Sequence, residues 1–183
     1  MAMDSVLRVL KDWNLLDPGV LALGLERGWV SEADVSAYAV EILLTGDNRV
    51  ELAELATAED LDLRSIVHLL RKLARLDSLP SVQVDNAIRR WMFAMLTSIS
   101  MSGSNPEDQL DKVEDAYAML DYPEEMRECS RYYVPPLHRA GGIQIGMQIA
   151  SPLEAMNQLV LKLRSEFLDL GRTGHQGAGN DGS

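Results

Sequence analysis

VQVDNAIRRWMFAMLTSISM, residues 82–101, is the most apolar run of the chain and decides the fold class. Val84, Ile88, Trp91, Met92, Met95, Leu96 and Ile99 recur at steps of three and four, the period of an α-helix. Apolar positions over so much of one helix predict that it is the central, most buried element. Pro80 separates it from what comes before.

Outward from this run the chain reads as further helices. Upstream, Val6, Val9, Leu10 and Trp13 predict a helix over 4–14. Asp17-Pro18 is a cap and first-turn pair for a second helix, which Gly28 closes. Ser31, with Asp34 three residues on, starts a third, with Val35, Tyr38, Ala39 and Ile42 as its apolar stripe. A short helix over 50–56 turns Leu52 and Leu55 inward. A longer one over 61–76 does the same with Leu63, Ile66, Val67, Leu70 and Leu73. Downstream, Asn105-Pro106 opens a helix running to about 120, and Pro123 begins a short helical turn to 129. Ser151-Pro152 opens a last helix to about 170. Residues 130–150 hold Pro135, Pro136, Gly141, Gly142 and Gly146 and stay open between loop, helix and a short β-hairpin, with Ile143-Gln144-Ile145 alternating like a short strand. The glycine-rich polar stretch 171–183 is expected to be a disordered tail. The expected fold is therefore all-α: one multi-helix bundle over 1–170, with that single hairpin as an open alternative.

Composition agrees. Hydrophobic residues at 46% and charged residues at 25% are ordinary for a globular domain and argue against disorder over most of the chain. The single cysteine, Cys129, forbids an intramolecular disulfide and points to a reducing cytoplasm. No signal peptide or bilayer-length apolar run is legible. The net charge of −11 disfavours nucleic acid and anionic membranes and suits a cationic protein partner.

Motifs of catalysis are not found. His68, His138 and His175 stand at no ligand spacing from one another or from Cys129, and no zinc or phosphate-loop signature occurs. His68, among leucines, is expected to be structural, and Cys129 to be a small buried residue at a helix end. No catalytic residue, metal or cofactor is assigned, and an enzyme is not expected.

The acidity is concentrated. Between 107 and 128 lie Glu107, Asp108, Asp111, Glu114, Asp115, Asp121, Glu124, Glu125 and Glu128. Against them stand Lys112 and Arg127, so the stretch holds −7 of the chain's −11. Leu110, Val113, Tyr117 and Leu120 make the expected inward seam, and Glu107, Asp111 and Asp115 one outward ridge. Like charges four apart cost roughly 0.2–0.5 kcal/mol per pair in a helix, and those near the amino-terminus recover part of that through the dipole. A solvated face is the plain alternative. Tyr122, Tyr132 and Tyr133 beside it are residues of the kind that anchor interfaces. The expected partner-binding residues are Glu107, Asp108, Asp111, Glu114, Asp115, Asp121, Tyr122, Glu124 and Glu125.

The stretch EDQLDKVEDAYAMLDYPEEMRECSRYYVP, residues 107–135, resembles the most characteristic part of a bacterial family, domain of unknown function 2247. The likeness rests on the turn Asp121-Tyr122-Pro123-Glu124-Glu125 and the pair Arg131-Tyr132, with weaker support from 24–44 and 51–60. It spans about 20–135, and nothing is recognised over 137–170. The resemblance supplies no catalytic residues. It implies a likeness to the small immunity proteins encoded beside bacterial polymorphic or contact-dependent toxins. The expected function is to bind and cover a cognate, basic toxin domain. A non-catalytic adaptor with an idle acidic surface and an enzyme using clustered carboxylates are the competing expectations.

Overall fold

A computed structural model describes residues 3–75, 81–134 and 151–173. Every regular element among them is helical: α1 (Met3–Asp12), α2 (Pro18–Glu26), α3 (Glu32–Leu44), α4 (Val50–Leu55), α5 (Leu63–Leu73), α6 (Ser81–Met101), α7 (Pro106–Met119) and α8 (Pro152–Thr173). Short 3-10 turns occupy Ala58–Asp60 and Glu124–Cys129. The fold is all-α. The hairpin considered near 130–150 falls largely on 135–150, outside the described residues, and 130–134 hold no strand. Contacts divide the chain after Ala94 into two compact units, Ala2–Ala94 and Met95–Ser183.

In the amino-terminal unit, side-chain caps set the helix starts. Asp17 accepts from the Val20 N–H at 2.9 Å and starts α2. Ser31 and Asp34 form a reciprocal capping box at α3. Asp62 accepts from the Ser65 N–H and starts α5. That cap, with the 3-10 turn before it, moves the start of α5 from the expected 61 to Leu63, which stands half exposed at 49% instead of facing inward. His68, expected to be structural, is exposed too. α2 is buried almost throughout and packs on α5. Trp91 is fully buried, and its Nε1 donates to the Val20 carbonyl at 3.0 Å, satisfying the one polar atom of the largest core side chain. Trp29 meets it edge-on, 5.3 Å between ring centroids. Residues 91–94 of α6 are buried in succession, as its apolar run predicts.

In the carboxy-terminal unit, Asn105 caps α7 by accepting from the Asp108 N–H at 2.9 Å. α8 opens on a capping box between Ser151 and Glu154 and packs on the 124–129 turn and on α7. It buries Ala155, Met156, Leu159, Leu163 and Phe167. It runs on to Thr173, past the expected end near 170. Residues 171–173 are therefore helical, and the rest of the expected tail lies outside the described residues. α7 buries Val113, Ala116 and, just past its end, Leu120; Leu110 and Tyr117, expected in the inward seam, are only half buried.

Candidate protein-binding surface

Two successive left-handed residues without a glycine end α7, Asp121 (φ 61°) and Tyr122 (φ 57°). The Tyr122 N–H donates to the Tyr117 carbonyl at 2.9 Å and the Asp121 N–H to that of Ala118 at 3.1 Å. These are the two bonds of a Schellman ending, with Asp121 in the place usually held by glycine. The side-chain contact that accompanies this ending is made by two rings. Tyr122 meets Tyr117 edge-on at 5.1 Å. Tyr122 as a whole residue nevertheless stays 66% exposed.

After Pro123 the chain folds back through the 124–129 turn and is tied to α7 by carboxylates. The Ser130 hydroxyl donates to Glu114 at 3.0 Å, and the Arg131 N–H donates to the same carboxylate at 2.7 Å. The Arg131 guanidinium donates to Asp111 at 2.6 Å. The Tyr132 N–H donates to the Ser130 hydroxyl oxygen at 3.2 Å, leaving the Tyr132 side chain 77% exposed. Arg127 pairs with Glu124 at 3.0 Å, which holds its guanidinium above the ordinary arginine value, and lies over the Tyr133 ring. Cys129 is buried, and burial with the nearby Glu128 charge pushes its thiol up to about 12, so it is not a poised nucleophile.

The nine residues assigned from sequence therefore do different things. Glu107, Asp108, Asp111, Asp115, Asp121, Tyr122, Glu124 and Glu125 are all exposed. Glu107 and Asp115, together with Glu128, make no ion pair among the described residues. Asp108 accepts from the Asn105 side chain within the α7 cap. Asp111 is partly neutralised by Arg131, and Glu114 is half buried with its acceptors occupied. Sequence reasoning did not find Ser130 and Arg131 as the other half of this arrangement. A serine and an arginine sixteen or more residues away carry no periodic signal.

Several cations elsewhere are paired with carboxylates. On α5, Arg71 pairs with Glu26 at 2.5 Å and Lys72 with Glu51 at 2.7 Å; Arg90 pairs with Asp17 at the start of α2. Among the described residues no helix is long and apolar enough to cross a membrane.

A model of a bacterial family, described as an uncharacterized protein conserved in bacteria (DUF2247), matches residues 8–169. It takes in 137–169, where the sequence resemblance found nothing. No curated protein and no solved structure matches the chain.

Proposed function

The chain belongs to the bacterial family DUF2247, and from that premise we propose that it is an immunity protein: a non-catalytic binder that covers a basic toxin domain in the bacterial cytoplasm. The observation that carries this reading is the surface of α7 and the segment 121–134, which presents exposed carboxylates together with the exposed Tyr122 and Tyr132. Concentrated negative charge draws a cationic partner and raises its association rate, while the rings supply apolar area that charge alone does not. A basic nuclease-type domain presents its cationic substrate site, which is the surface such a binder occludes.

The test is a calorimetric titration with the carboxy-terminal domain encoded immediately upstream of this gene, at low and high salt. One-to-one binding that weakens with salt is expected, and Glu107→Lys with Asp115→Lys should flatten the salt dependence. Absence of binding at both salts removes the immunity reading in favour of an adaptor with an idle acidic face.

A further inference from the structure

Resting on the protein-binding reading above, we infer that Tyr122 and Tyr132 are the anchors of this surface, held ready by Glu114 and Ser130 as positioning residues. Their partner is a cationic protein surface with an apolar recess for each ring and arginine or lysine side chains around it. The acidic ridge steers; it does not anchor.

Three observations carry the division of roles. First, Tyr122 occupies a left-handed backbone position directly before a proline. A bulky residue is disfavoured there on both counts, and glycine or asparagine is the ordinary choice. The two Schellman bonds and the Tyr117 ring hold it in place. A strained position occupied by an exposed aromatic points outward, to what the ring does beyond this chain.

Second, the exposed Tyr132 is not on a loose strand. Its own N–H and that of Arg131 are bound to Ser130 and Glu114, and Ser130 is bound to Glu114 in turn. Glu114 and Tyr117 are three apart on α7, so the two tyrosines hang from neighbouring positions on one helix face. Anchors ordered before binding lose less freedom when they engage. Third, Glu107 and Asp115 do none of this holding: both are exposed and make no ion pair among the described residues. Charge of −7 over 107–128 selects a cationic partner, and a guanidinium or ammonium over a phenol face adds to ring burial.

The experiment follows association and dissociation separately, with the full chain and the upstream-encoded domain as the probe. Tyr122→Ala and Tyr132→Ala should each raise the dissociation rate by about thirtyfold, with the association rate within about threefold. Asp115→Lys should slow association and leave dissociation nearly unchanged. Tyr122→Gly separates fold from binding: it relieves the backbone, so its melting temperature should stay within a few degrees of the parent's while dissociation is as fast as in Tyr122→Ala. Glu114→Ala should speed hydrogen exchange at the Arg131 and Tyr132 amides in the free chain and raise the dissociation rate. Parent-like dissociation in both tyrosine variants overturns the anchors and leaves the binding reading standing. Arg131 and Tyr132 amides unprotected in the free parent chain overturn the positioning role. A parent chain that does not bind the probe at any salt removes the binding reading and the anchors with it.

Discussion

Trp91 and Tyr122 are both aromatic side chains seated against a second ring, yet they belong to regions built by different physics. Around Trp91, apolar surfaces close on one another: Gly24 leaves room for the indole, Trp29 covers its edge, and a single hydrogen bond satisfies its nitrogen. Around Tyr122 and Tyr132, backbone bonds and carboxylates shape the chain, and the rings remain in solvent. Close packing is non-directional and rewards area removed from water. Directed polar bonds hold a segment in one geometry while giving up little area. Stability should therefore concentrate in the first region and display in the second.

The largest test of that contrast is Trp91→Ala, which leaves a cavity where the buried indole stood. A loss of about 3–5 kcal/mol is expected in urea unfolding. Gly24→Ala comes next and sharpens the point. Replacing a mid-helix glycine ordinarily gains about 0.5–1 kcal/mol. Here the added Cβ would lie 2.5 Å from Trp91 Cζ2, a buried ring with nowhere to swing. Overpacking should reverse the sign, to a net loss of about 1–3 kcal/mol. Glu114→Ala removes bonds from Ser130 and Arg131 at a half-exposed site and should cost less, about 1–2 kcal/mol. If it costs as much as Trp91→Ala, the contrast between the regions fails.

The smallest effect is in the acid limb. Arg49 holds Asp47, Lys72 holds Glu51, and the Ser65 N–H holds Asp62 below the ordinary carboxylate range. Carboxyls with lowered folded values contribute stability that is present above their unfolded values, near 4, and is lost as pH falls through the folded ones. Melting temperature should therefore fall gradually below about pH 4. Lys72→Met should make that fall shallower by removing the part linked to Glu51.

For the candidate surface, the sequence pointed to a stretch of chain more than it assigned roles within it. The acidic run is local, so charge density exposed it, and the Asp121–Glu125 turn stood out through the family resemblance. Glu114 and Asp115 look alike in a sequence, being adjacent acids on one helix. Only the return of 130–131 makes the first a clamp and leaves the second free. His68 shows the same limit: its place among leucines did not reveal that its side of α5 faces solvent.

Helical period, capping residues and the apolar run at 82–101 by themselves determined an all-α protein, with helix starts at Pro18, Glu32, Pro106 and Pro152. Those signals act within a few residues, through backbone caps and side-chain spacing. The tertiary structure alone decided which acids hold the chain together, which tyrosines stay in water and why Gly24 must be glycine. Each depends on residues far apart in sequence meeting at contact distance, and no local pattern encodes that meeting.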